Sequence, residues 1–451
     1  MQRKPASMTL NVTERHQASE PVLGAYNDHP LRLEVNDEIH ARPYERLRAP
    51  ARVSHLGMFS GRHSADADRA AVADLCERFG VEPPEPDAQH MSRDFGPFRL
   101  KWERRTEVST YTFIVEDDFE HPFEGPPIER VPEDWLASLP GPRLVGIHLA
   151  LEPSWSQPRT SSGIVALFND NTIVGSQIAG GAARVWTDFR IHEDGFSRIL
   201  LRDVNMRERQ AGRAIQRLLE IETYRMMALL AFPVARRLNP QLNELEEQLA
   251  SITERMTGST RERDEQNLLS QLMELAAQVE RIGNNTNYRF HAARAYHELV
   301  ERRIQELREQ RIQGVQTIQE FMERRLVPAM RTCDTVAERR GSLSERISRT
   351  GDLLRTRIDV ALEAQNRDLL DSMDRRAKLQ FRLQETVEGL SVAAISYYLM
   401  GLISYVLQAA RDAGAPVRVE ITQGLAVPVV VFTIWLVVRL VRYRIAKRQE
   451  G

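Results

Sequence analysis

Cysteine is scarce in this chain: Cys76 and Cys333 are the only two, and they lie far apart. That spacing supplies no disulfide framework and no zinc or iron–sulfur ligand set, and it fits a reducing compartment. Surplus charge is missing too. Charged residues make up 27% of the sequence, yet the formal net charge is only -2. A polyanion-seeking surface is therefore excluded for the molecule as a whole, and no nucleic-acid partner is expected. The first stretch, MQRKPASMTLNVTERHQASE, lacks the apolar run of a secretory signal, so no export route is expected for the soluble part. Nor does Gly-Lys-Ser/Thr follow Gly175, Gly180 or Gly181, so these glycines form no phosphate loop. There is no Gly-x-Ser-x-Gly elbow and no Cys–His pair placed as a nucleophile. The sequence names no cofactor, and these absences turn the reading away from catalysis without closing it.

What the chain does have is two uncharged apolar runs near its C-terminal end, residues 389–410 and 421–438. At about 1.5 Å per helical residue, each is long enough to cross a hydrocarbon core of roughly 30 Å. Leu440 and Val441 extend the second run if Arg439 snorkels toward the headgroups. Arg439, Arg442, Arg444, Lys447 and Arg448 follow it, against the single acid Glu450. The positive-inside rule then places both termini in the cytoplasm. Ala394, Tyr397, Gly401, Ser404 and Gln408 recur at three- and four-residue steps and share one face of the first run. Small and hydroxylated residues in such a stripe suit close packing in lipid, between the two spans or between subunits. A pore face is the alternative. The first run contains no ionisable residue, so a proton relay has no member there.

The soluble part predicts an α+β domain followed by long helices. Residues 1–25 have little periodicity and read as a flexible arm. Leu31, Leu33 and Val35 alternate with charged residues as in a half-buried strand. A helix is expected over residues 65–79. Strand patterns follow at 98–105, 111–115, 144–151, 163–168, 172–178, 183–191 and 196–201, punctuated by Asn/Asp and Gly-Gly turns. Beyond about residue 205 the apolar period becomes helical, with one long pattern over 284–340, broken near Pro328, and another from Leu343 into the first apolar run. The expected organisation is 26–204 as the sheet domain and 205–388 as a helical, coiled-coil region. The spans are 389–410 and 421–441, joined by an external loop, 411–420, and followed by a basic cytoplasmic tail, 442–451. Gln365 and Arg376 fall in the apolar register of the last helix, which favours a helical bundle over a strict two-stranded zipper.

The densest polar cluster is NDEIHARPYE, in which Asp37 and His40 are the candidate metal or proton-transfer groups. Its spacing matches no standard metal signature, and a turn after Asn36 is the competing reading. His55, His121, His148 and His192 are scattered. Arg104 and Arg105, beside Trp102, form a candidate anion contact or a solubilising strand edge.

HPLRLEVNDEIHARPYERL, LKWERRTEVSTYTF and ETVEGLSVAAISYYLMGLISY carry a resemblance to a widespread bacterial family of predicted membrane-anchored proteins, classified as a domain of unknown function. The resemblance covers nearly the whole chain and implies membrane attachment, with no biochemical activity. Its second motif usually has histidine where this chain has Arg105, which argues against a universal catalytic histidine at that position. The layout is also similar to that of CorA-like divalent-cation channels, with a cytoplasmic α/β domain, a helical stalk and two C-terminal spans. Those channels carry Gly-Met-Asn at the outer end of the first span, where this chain reads YVLQAARDAG with the basic Arg411. The function expected is a non-enzymatic oligomeric scaffold on the cytoplasmic membrane face. Its expected partners are the bilayer, further copies of itself and a cytoplasmic protein. A CorA-like channel or transporter is the alternative.

Overall fold

The computed structural model describes residues 29–33, 35–36, 44–258, 262–413, 416 and 418–449. Its strands are β1 (Ala51–Met58), β2 (His90–Asp94), β3 (Arg99–Arg104), β4 (Ser109–Val115), β5 (Arg143–Glu152), β6 (Val174–Ile178), β7 (Ala183–Thr187), β8 (Ser197–Asp203) and β9 (Gln310–Arg311). Among the described residues they form one sheet in the order β2-β3-β4-β1-β5-β8-β7-β6-β9. β5 and β8 pair in parallel, and the remaining pairs are antiparallel. The helices are α1 (Ala65–Phe79), α2 (Glu133–Ser138), α3 (Ser161–Ala166), α4 (Glu208–Leu229), α5 (Ala231–Gly258), α6 (Glu262–Leu307), α7 (Ile318–Asp412) and α8 (Val419–Gln449). The fold is thus a mixed sheet with interspersed helices, followed by a long helical region.

Alternation along the strands sorts the sheet into two faces. On one, Leu56, Met58, Leu100, Trp102, Tyr111 and Phe113 share a buried core with Val72, Leu75 and Cys76 of α1 and Trp135 of α2. Tyr111 and Phe113 meet the Trp135 ring edge-on, and Trp135 Nε1 donates to the Ala71 carbonyl at 2.7 Å. α1 ends at Gly80, whose φ of 66° lets the chain reverse with its N–H returned to the last turn. The opposite face, beneath α4, is polar and holds the site described below.

By packing, the chain forms two compact units, Met1–Glu246 with Gln278–Ser344, and Glu247–Ala277 with Glu345–Gly451. In the first, the helical pattern stops at Leu307, and β9 adds to the free edge of β6. Glu309 fixes this junction, accepting from Ser176 Oγ at 2.6 Å and from the backbone N–H of Ile318 and Gln319 at 3.0 and 2.9 Å. Thr317 and Glu320 then form a reciprocal capping box at 3.1 and 3.2 Å, which starts α7. In the second unit, Leu249, Ile252, Leu268, Leu272, Leu354 and Ile358 are buried. Arg357 Nε pairs with the buried Glu265 at 2.8 Å there. α7 and α8 each include a segment long and apolar enough to cross a membrane, by length and composition.

Three local expectations are corrected. Arg32–Leu33 and Val35–Asn36 are helical, with Leu31, Leu33 and Val35 exposed, and Val35 N donates to the Leu31 carbonyl at 2.9 Å. Residues 161–166 form α3 instead of a strand, because Thr160 Oγ1 accepts the Gly163 N–H at 3.1 Å and nucleates a turn. Pro328 does not break its helix: α7 passes through it, and the interruption lies at residues 308–317.

Candidate functional site

The polar face of the sheet is assembled from three strands. Lys101 and Glu103 of β3, with Arg105 just beyond it, point opposite to Leu100 and Trp102, as a two-residue period requires. Thr110 and Thr112 of β4 and His55 of β1 lie on the same side. From above, α4 contributes Gln216, Glu220 and Thr223, spaced at four and three residues so that all descend from one stripe. The cavity between them is about 40 Å³. Its lid is set by backbone contact, since a Cβ at Gly212 would overlap the carbonyl oxygen of Glu45. The Leu47 N–H donates to the Glu208 carbonyl at 3.3 Å alongside.

His55 is held at both ends. Nδ1 lies 2.8 Å from Thr112 Oγ1, and Nε2 lies 3.2 Å from Thr223 Oγ1. Thr223 already donates its hydroxyl proton to the Leu219 carbonyl at 2.8 Å, so it must accept from His55, and the proton sits on Nε2. Burial, followed by the charges of Arg105 and Lys101, lowers the His55 pKa to about 3. The ring is neutral at physiological pH.

Around it the charges compensate one another. Lys101 Nζ lies 3.1 Å from both Glu103 Oε1 and Gln216 Oε1. Arg105 reaches Glu220 Oε1 at 3.2 Å and Glu103 Oε2 at 3.6 Å, and its other amine donates to the Tyr224 hydroxyl. Glu220 also accepts from Gln216 Nε2 at 3.0 Å and from Arg303 of α6. Arg303 continues to Glu306, which is paired with Arg217 at 2.9 Å. Burial pushes the Tyr224 hydroxyl up to about 12. His55 and Tyr224 each keep one protonation state through the neutral range, so the arrangement is built to hold fixed charge in place.

Other residues singled out in the sequence do not join this cluster. Asp37 and His40 lie outside the described residues. His148 accepts or donates with Ser54 Oγ at 3.1 Å and stacks on Phe196 at 3.9 Å, and burial lowers its pKa to about 4. His192 Nε2 approaches Asp188 Oδ2 at 3.1 Å without hydrogen-bond geometry, and His121 is exposed. Arg104 turns away to the buried Asp68, at 3.1 Å. Among the described residues no group of three His, Cys, Asp or Glu is placed to hold a metal. In α7, Ser404 Oγ accepts from Gln423 Nε2 of α8 at 2.5 Å. Ala394, Tyr397 and Gln408 are exposed, and a Cβ at Gly401 would meet nothing within 4 Å.

Residues 27–445 match a family described as a protein of unknown function, DUF3422. This chain belongs to the DUF3422 family. No curated protein and no solved structure matches it. Of the stretches that carried the resemblance, HPLRLEVNDEIHARPYERL includes Glu45 and ends in Leu47, both lining the buried network. LKWERRTEVSTYTF supplies Lys101, Glu103, Arg105, Thr110 and Thr112 to it. In this DUF3422 chain Arg105 is thus an ion-pair hub beneath α4.

Proposed function

We propose that this chain is a membrane-anchored, non-enzymatic, oligomeric interaction protein on the cytoplasmic face of a bacterial inner membrane. One observation carries the reading. The apolar windows of α7 and α8 have only 6% and 11% of their residues buried, and apolar surface of that extent requires lipid or other chains around it. Arg439 lies over the Trp435 ring at 5.0 Å, a pairing suited to a headgroup boundary. In this reading residues 389–410 and 421–441 span the bilayer, 411–420 lie outside, and 442–451 lie in the cytoplasm. Before the first span, Leu362, Leu369, Met373, Leu383 and Val387 of α7 are exposed. Their spacings of seven, four, ten and four residues keep them near one face and favour a bundle with further copies of the chain. The sheet domain or helical region then recruits a cytoplasmic protein, with no role for nucleic acid.

A reporter active only in the cytoplasm tests the topology. Fused to either terminus it is expected to give signal, and inserted between Gly414 and Pro416 it is expected to be silent. Signal from only one terminus would overturn the two-span arrangement. Ending the chain at residue 388 is expected to release it from carbonate-washed membranes.

A CorA-like channel is the second reading, favoured by the continuity of α7 into the first apolar run and by the outward exposure of Tyr397, at 78%. Two spans cannot enclose a pore, so a strictly monomeric particle in mild detergent removes it.

A further inference from the structure

Away from the buried network, a cavity of about 230 Å³ opens where β6 ends. Its wall includes Ile178 and Ala179 from that strand end, Arg213 and Arg217 from α4, and Glu306 and Arg308 from the end of α6. Arg213 and Arg217 are four residues apart and project from one stripe. Glu306 is the one carboxylate among the described lining residues, and its oxygens are engaged. Arg217 Nε lies 2.9 Å from Oε2, and Arg303 Nη1 lies 3.0 and 3.1 Å from the two oxygens. Arg213 and Arg308 have no ion pair or side-chain hydrogen bond among the described residues. The cavity is therefore bordered by two uncompensated guanidinium groups, with a third held beside them by Glu306.

A second observation concerns the backbone. Ala179 and Arg308 both adopt the left-handed region, at φ 56° and 54°, although neither is glycine. Such conformations persist where the surroundings over-determine them, and they gather at binding sites. Both residues line this one cavity, and Arg308 sits in the turn that follows α6, its N–H donating to the Gln305 carbonyl at 3.1 Å.

We propose that this cavity binds a phosphate-type dianion, carried by a small phosphomonoester or by the headgroup of an anionic lipid. Arg213 and Arg308 are its ligands, and Glu306 holds Arg217 in position beside them. Two guanidinium forks match the charge and the several acceptor oxygens of a phosphate, to which arginine bonds in bidentate fashion. Ile178, Ala214 and Leu307 supply apolar wall for a short organic body.

The test uses the full chain in phosphatidylcholine nanodiscs, titrated with inorganic phosphate and with glycerol phosphate by calorimetry. Nanodiscs doped with phosphatidic acid, read by native mass spectrometry for retained lipid, form the headgroup arm. Saturable binding in either arm is expected to weaken at least tenfold in Arg213→Gln and in Arg308→Gly, and to change less than twofold in Arg209→Gln. Glycine takes the left-handed conformation without strain, so Arg308→Gly removes the charge while leaving the turn intact. Binding in the soluble arm identifies a free phosphomonoester, and binding in the lipid arm alone identifies a headgroup. The proposal is overturned by no binding in either arm, by binding that both cavity variants retain, or by equal loss in Arg209→Gln. Each of these would leave Arg213 and Arg308 as solvated cations beside the negative end of α6.

Discussion

Gln423 of α8 donates its side-chain amide to Ser404 of α7 at 2.5 Å, joining the two apolar helices within one chain. In the membrane reading proposed above such a bond has no competing water, and interhelical bonds of this kind contribute on the order of 1 kcal/mol. Cysteines at both positions are expected to crosslink intramolecularly with a short bis-thiol reagent and to leave the mass of the particle unchanged. Gly401, with open space at its Cβ, is one position of that stripe open to another copy. Gly401→Leu is expected to shift the assembly toward smaller species in nanodiscs, whereas Val406→Leu leaves it alone. An unchanged mass for Gly401→Leu assigns the stripe to contacts within the chain.

Acid should destabilise the sheet domain well above the carboxylate range. His55 and His148 have folded pKa values of about 3 and about 4, against 6.5 when unfolded. The unfolded state therefore binds more protons below pH 6.5, and stability falls as pH drops from 6.5 toward those values. The loss is about 1.4 kcal/mol per pH unit for each histidine across that window. Denaturant midpoints measured at pH 7.5 and pH 5 are expected to differ, and His55→Gln is expected to reduce the difference. An equal slope in the variant would mean that His55 is solvated or charged.

Two glycines make opposite predictions. Gly212→Ala forces a methyl group into the Glu45 carbonyl and is expected to cost about 1–3 kcal/mol, or to release residues 44–47 to proteolysis. Gly351→Ala, in the interior of α7 with open space around it, is expected to be neutral or to stabilise by up to about 1 kcal/mol. Thermal midpoints of the two variants read the contrast directly.

Arg105 holds Glu220 at 3.2 Å and Glu103 at 3.6 Å. Arg105→Met strips a cation from a buried network and is expected to destabilise by about 3 kcal/mol. Because the groups are sheltered, the loss should persist in high salt. A double variant with Glu220→Gln is expected to lose less than the sum of the single changes, as residues in one network do. Strict additivity would mean that the pair does not interact.

Local periodicity made much of the sheet legible: β3, β4, β5, β6, β7 and β8 lie where alternation and turn residues placed strands. β1 escaped notice because all eight of its residues are buried, with Ser54 and His55 among them, so neither face has an exposed polar row. α3 read as a strand because GIVALF is uniformly apolar and too short for its period to speak. The buried network was hidden by distance, since His55 meets a threonine 57 residues away and another 168 away. A signal did exist: polar residues alternated along β3 while Gln216, Glu220 and Thr223 lined one stripe of an amphipathic helix. Each pattern taken alone suits a solvated face, and only their juxtaposition makes an interior.

The two-residue strand β9 has a consequence for how copies of this protein can meet. Ser176 and Gln177 of β6 are paired with β9, and the Gly175 N–H is taken by the Gln316 carbonyl at 2.9 Å. A row of backbone groups that would otherwise template another strand is thereby occupied by the chain's own return. The opposite border, β2, is only five residues long and carries Arg93 and Asp94 outward. Neither margin invites fibre-like growth, so crowding of copies need not turn these sheets into aggregates.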